Sequence, residues 1–120
     1  MSTAVHVTRV LEPVVENTVL LALAGELDYD NATRFDHDTH EAIAEHHGDV
    51  VIDLTDLSFC DSTGMQILLK VRRAVHDRGG RLILVNPHSR VARLLHLTGL
   101  IQAFEVRPTL AEAAEALHAT

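Results

Sequence analysis

The sequence predicts an α/β fold: one domain with a central mixed sheet of four to five strands and about four helices. Three observations carry this. Short apolar runs of the fully buried strand type, Val50-Val51-Ile52 and Leu82-Ile83-Leu84-Val85, alternate with segments whose apolar residues recur every three or four positions. Two strand-like segments open the chain in succession, so an antiparallel pair precedes the alternation. The length of 120 residues, 47% of them hydrophobic, suits a single core. About two thirds of the unfolded surface is then buried, without a metal or disulfide staple. Residues 1–120 read as one domain, with no linker, low-complexity stretch or internal repeat.

Taken in order, Val5 to Val10 alternates weakly, and Thr18 to Ala24 runs apolar up to Gly25. Between them the Glu12-Pro13…Glu16-Asn17 stretch predicts a hairpin-like turn. From Tyr29 to His46, the residues Ala32, Phe35, Thr39, Ala42, Ile43 and His46 make one helical face, with Asp28 placed to cap its start. After the strand at 50–52, Thr63 to Arg78 predicts a second helix, stopped by Gly79-Gly80. The strand at 82–85 ends at Asn86-Pro87. Ser89 to Thr98 sets Val91, Leu94, Leu95 and Thr98 on one face, with Gly99 as the residue that ends the helix. Phe104 to Val106 predicts a last strand, and Thr109-Leu110-Ala111-Glu112 has capping-box spacing for a closing helix. Strand–helix alternation implies parallel strands joined by right-handed crossovers.

Composition narrows the function. Seventeen Asp and Glu against ten Lys and Arg give a net charge of −7, which argues against a general nucleic-acid binder. A single cysteine, Cys60, cannot form an internal disulfide, so a reducing cytoplasm is expected. No apolar run approaches the roughly 18 residues of a membrane span, and the opening residues lack a signal-peptide core. Neither membrane insertion nor secretion is expected.

The informative stretch is Val50 to Gly64, where a buried strand hands over through a loop to Asp61-Ser62-Thr63-Gly64 at a helix start. Short oxygen-bearing side chains are ordinary helix openers, and Thr63 with Gln66 fits a capping box. On that ground alone the turn is as readily a cap as a site. The helix that follows adds a second observation. Gly64, Leu68, Val71 and Val75 share the core face, flanked by Ile67 and Ala74. Ser62, Gln66, Leu69 and Arg73 fall on a different stripe, with Met65 beside them. Adaptable Met65 and Leu69 next to an exposed serine predict a partner-binding face around a modifiable hydroxyl.

Four motifs in order, Gly25-Glu26-Leu27-Asp28, Asp53-Leu54, Phe59-Cys60-Asp61-Ser62-Thr63-Gly64-Met65 and Asn86-Pro87…Leu97-Thr98-Gly99-Leu100, resemble the STAS domain of bacterial anti-sigma-factor antagonists. The resemblance runs from about Val5 to Leu117. It implies a protein without catalytic activity that binds an anti-sigma factor, itself a serine kinase, and so frees a sigma factor for transcription. The family's phosphate-accepting serine falls on Ser62, with Asp61 and Thr63 shaping the turn. Asp28 falls on the family's acidic position near the phosphosite. Met65 stands where leucine is more usual, and nine histidines are atypical. The implied partners are the anti-sigma kinase and a resetting serine phosphatase, the expected state a monomer or weak dimer, and no cofactor is implied. The rival is a constitutive scaffold subunit of a transporter, lipid-trafficking or signalling complex, with Ser62 acting only as a helix cap. A weaker alternative is a small ligand or nucleotide near Asp28.

Other constellations carry less. His37 and His40, with Asp36 and Glu41 nearby, and the pair His46-His47 lack a third and fourth ligand at metal-binding spacing, so a solvated helix face and no metal site are expected. Ser62 has no Gly-x-Ser-x-Gly elbow, and Cys60 precedes an acid that raises its pKa, so hydrolase chemistry is not expected. Asp53 resembles a receiver-domain phosphoacceptor, but the single lysine, Lys70, lies inside a helix, and Asp53 is expected to satisfy amides in the loop that follows it. Gly79-Gly80 lacks the Lys-Ser or Lys-Thr of a phosphate loop.

Overall fold

The apolar runs become strands of one five-stranded sheet. The computed structural model describes residues 4–12 and 15–118. Within it β1 (Val5–Val10) pairs antiparallel with β2 (Thr18–Leu27), and β3 (Asp49–Cys60), β4 (Leu82–Val85) and β5 (Glu105–Arg107) follow in parallel. The expected turn between the first two strands includes Pro13 and Val14, which lie outside the described residues. Helices α1 (Ala32–Ile43), α2 (Ser62–Asp77) and α3 (Ser89–Thr98) connect the parallel strands, and α4 (Leu110–His118) closes the chain.

Spatial strand order equals chain order. Right-handed crossovers that always step the same way put their helices on one face of the sheet. Val19, Leu21, Leu23, Val50, Ile52, Leu82 and Leu84 join Phe35, Leu68, Val71, Val91 and Leu95 in the core on that side. The alternate residues Leu20, Val51, Ile83 and Val85 meet Ala113 of α4 on the other. Burial on both faces is why the central strands read as continuous apolar runs. Gly99 ends α3 at φ 76°, as its position predicts, and the Thr109 hydroxyl accepts the Glu112 amide at the mouth of α4.

Two elements differ from expectation. Helix α1 is shorter than 29–46 at both ends. Residues 28–31 are folded into a loop by their own side chains. At the other end Arg78 Nη1 and the His46 amide both donate to the Ile43 carbonyl, which ends the helix. Strand β3 is far longer than 50–52, because the sequence hides it. Opposite β2, the register shifts twice: Ala22 faces Asp53 but Ala24 faces Asp56, and Gly25 faces Leu57 but Glu26 faces Phe59. Each shift inserts one extra residue into β3, a pair of β-bulges. The buried residues Leu54, Leu57 and Cys60 are therefore three apart, which breaks the two-residue period of a strand. Asp53 Oδ1 accepts the Thr55 amide and hydroxyl at the first bulge, inside β3 and not in the loop expected to follow Asp53.

Candidate functional site

The second bulge aims the end of β3 at the start of α2, so Asp61 follows directly from strand. Its amide donates to the Leu27 carbonyl (3.1 Å), which ties the turn to the end of β2. Its carboxylate divides its two oxygens. Oδ1 accepts the Gly64 amide at 2.9 Å and caps α2; Oδ2 accepts the Tyr29 amide at 2.9 Å, across 32 residues of sequence. The cap of α2 is thus Asp61, not the expected Thr63–Gln66 box. An aspartate preceding the first helical residue satisfies an orphan amide and places negative charge where the helix dipole favours it.

The loop facing it is self-organised. Asp28 Oδ1 accepts the amides of Asp30 and Asn31, Asn31 Oδ1 accepts the Asp28 amide, and Asn31 Nδ2 donates to the Glu26 carbonyl. Asp28 therefore shapes the loop instead of capping α1, whose first flanking residue is Asn31. The sequence places the acid correctly and misassigns its job.

Gly64 is required by space. A Cβ there would stand 2.7 Å from Leu27 Cγ and 2.8 Å from Cys60 Sγ, both buried, so the first turn of α2 lies directly on the strand ends. The Cys60 thiol behind it is pushed up to about 12, chiefly by burial and secondarily by the Asp61 charge. A thiol protonated at neutral pH is no nucleophile, in line with the core role read for it.

Ser62 is exposed at the first helical position, Thr63 is half-buried, and Gln66 and Arg73 are exposed on the same stripe. Arg73 lies about 16 Å along the axis from Ser62, so it belongs to the outer face of the helix and not to the turn. Met65 requires correction. It was expected outside the core stripe, yet it is 1% exposed and joins the cluster that contains Val91 and Leu95 of α3. The helix is enclosed over a wider arc than its Gly64–Val75 face, because α1 packs beside it and Met65 enters the shared core. Leu69 is half-buried and packs at the margin of the same core. Tyr29 lies beside the turn as well. It is 77% exposed, its amide is held by Asp61, and as the chain's one tyrosine, directly after Asp28, it was visible as a candidate. His37 and His40 pair along α1 with Glu41 and Asp36, and among the described residues no group of three or more His, Cys, Asp or Glu is placed to hold a metal ion.

A mixed five-stranded sheet with three crossover helices on one face, and an exposed serine on an aspartate-capped turn, define a small α/β domain. The STAS domain family model matches residues 10–113, and the chain belongs to that family. It is 33% identical over 91 residues to the anti-sigma-B factor antagonist of Bacillus subtilis (strain 168), covering 76% of this chain and 83% of the relative. The anti-sigma factor antagonist SpoIIAA in its unphosphorylated form superposes with a TM-score of 0.72 at 26% identity, covering 98% of both chains. The phosphorylated form of SpoIIAA, the Bacillus cell fate determinant, gives 0.64 at 27%, covering 94% of this chain and 98% of that one. Part of the murine anion transporter Slc26a9 shares the fold, with a TM-score of 0.80 at 16% identity over 97% of this chain and 22% of the transporter. Among the described residues no helix is long and apolar enough to cross a membrane.

Proposed function

We propose that this chain is an anti-sigma-factor antagonist switched by phosphorylation of Ser62. Unmodified, it binds an anti-sigma factor that is also a serine kinase; phosphorylated, it is released, and a serine phosphatase restores it. The observation that carries the reading is the division of labour at the turn. Asp61 does the capping, so the Ser62 hydroxyl is exposed and has no structural task among the described residues. That weighs against a scaffold in which Ser62 serves only as a cap.

A phosphate would add about −1.5 to −2 charges at neutral pH. The first turn of a helix is a favourable place for it, since the amides there have no preceding helical carbonyl and the dipole is positive. The fold therefore tolerates the modification. A partner surface matched to a neutral hydroxyl beside Asp61 does not. The contact surface comprises Asp28 and Tyr29 of the loop, Asp61, Ser62 and Thr63 of the turn, and Gln66, Leu69 and Arg73 along α2. Asp28 acts through loop shape and Tyr29 through its exposed ring, a residue type enriched at binding hot spots. Met65 supports this surface from beneath.

The test is incubation with the cognate anti-sigma kinase and ATP, followed by intact-mass and peptide analysis. One phosphate on Ser62, absent in Ser62→Ala, is the expected result. Phosphate on Thr63 or Ser58, or none, would favour the scaffold reading.

A further inference from the structure

A second surface lies on α3, and its groove reaches Cys60, two residues before Ser62. Val91 and Leu95 point into the core. Beside that face the helix carries Arg90, Arg93, Leu94 and Leu97 at i, i+3, i+4 and i+7, with Leu94 half-buried at the margin of the core and the other three exposed. Leu97 is 74% exposed. Phe59, 38% exposed on the outer end of β3, forms the other wall, and between them runs an open groove of about 280 Å³. Its charge is opposite to that of the molecule. Helix α3 has two arginines and no acidic residue in a chain of net charge −7, and neither Arg90 nor Arg93 forms an ion pair among the described residues.

We propose that this groove docks an acidic amphipathic helix of a protein partner, with apolar side chains entering between Phe59, Leu94 and Leu97 and carboxylates meeting Arg90 and Arg93. The complementarity is specific in sign. A basic or neutral segment gains only the apolar contact, and an acidic one also gains two charge-assisted contacts. A helix fits because Arg90 to Leu97 spans about two turns, the length over which i, i+3/i+4 and i+7 anchors engage a groove. The chain's own acidic helix, α4, is not available to a second copy, since Ala113 on its apolar side is fully buried against the sheet. This proposal does not depend on Ser62 being a phosphosite.

The experiment is selection of a displayed, helix-biased library of 16-residue peptides on the full chain, with Arg90→Glu/Arg93→Glu as the counter-target. Enriched peptides are expected to combine Asp or Glu with Leu, Ile or Phe at three- and four-residue spacing. A synthetic peptide from that set should lose at least tenfold in Kd against the charge-reversed chain and against Leu97→Ser. It should also shift the amide resonances of Phe59, Leu94 and Leu97. All substituted positions are exposed, and unchanged thermal melts would show that the fold is intact. No enrichment, enrichment of basic peptides, or binding indifferent to charge reversal would overturn the proposal. So would self-association of the chain abolished by Leu97→Ser, which would make a second copy the occupant. Arginine-dependent binding to phosphatidylglycerol vesicles in place of peptide would make it a membrane.

Discussion

Helices α1 and α2 both begin where an aspartate leaves the end of a strand, and the two aspartates are used differently. Asp28 Oδ1 accepts the amides of Asp30 and Asn31, two bonds within its own loop. Asp61 spends one oxygen on its own helix and the other on Tyr29, 32 residues earlier. Each helix start is also anchored inward, α1 by Phe35 and α2 by Gly64 and Met65. The difference is one of reach. The bonds that Asp28 Oδ1 accepts stay in one loop, whereas Asp61 ties two loops together, and the exposed Ser62 beside it makes no side-chain hydrogen bond among the described residues. Under the proposed function, a phosphate on Ser62 changes the charge there without removing the Asp61 bonds that hold the turn.

The largest contrast is chemical, and α1 has no counterpart to it. Burial, with the Asp61 charge second, pushes the Cys60 thiol up to about 12, so at mildly alkaline pH far less of it is thiolate in the folded chain than in the unfolded one. Alkylation should be correspondingly slow until denaturant is added; equal rates would mean that the start of α2 opens readily. The sign for stability follows. Below pH 9 both states keep the proton and the thiol's contribution is complete. Between about 9 and 12 only the unfolded chain releases it, so stability falls across that window.

Next in size are the inward anchors. Met65→Ala and Phe35→Ala should each cost about 2–5 kcal/mol in urea unfolding, because both empty fully buried sites. A mild effect at Met65 would return it to the outer stripe and undo the corrected face of α2. Smaller again are the aspartates. Asp61→Ala should cost about 1–2 kcal/mol and Asp28→Ala about 1 kcal/mol or less. Hydrogen exchange separates them better than stability does. Asp61→Ala should deprotect the distant Tyr29 amide as well as Gly64, while Asp28→Ala should leave Gly64 protected. Smallest is Ser62→Ala, expected within about 0.5 kcal/mol of wild type, as for a surface position with no cap to lose. A loss of 1–2 kcal/mol would make Ser62 a cap after all.

The elements most legible in the sequence are those with unbroken local rules. Leu82–Val85 and Ser89–Thr98 match at both ends, since four consecutive buried apolar residues and a glycine in the left-handed region leave little alternative. β3 was legible only to Ile52, because its bulges replace the two-residue period with a spacing of three, a pattern imposed by pairing with β2. At the site, Ser62, Gln66 and Arg73 were placed on an exposed stripe correctly from helical phase alone. Met65, which is buried, and Leu69, which is half-buried against the core, were not, since phase about one axis cannot reveal how many neighbours enclose a helix. Likewise, nothing in local sequence tells that Asp61 reaches Tyr29, because that bond depends on two strand ends lying side by side.

The central claim is that negative charge at Ser62 abolishes partner binding without disturbing the fold. It is tested most directly by titration calorimetry of the unmodified, Ser62-phosphorylated, Ser62→Ala and Ser62→Asp forms against the anti-sigma partner. The account predicts tight, similar binding for the unmodified and alanine forms. The phosphorylated form should lose about 2–5 kcal/mol, roughly thirtyfold to several thousandfold in Kd, with aspartate intermediate and all four melting alike. Equal affinities across the four forms would contradict it.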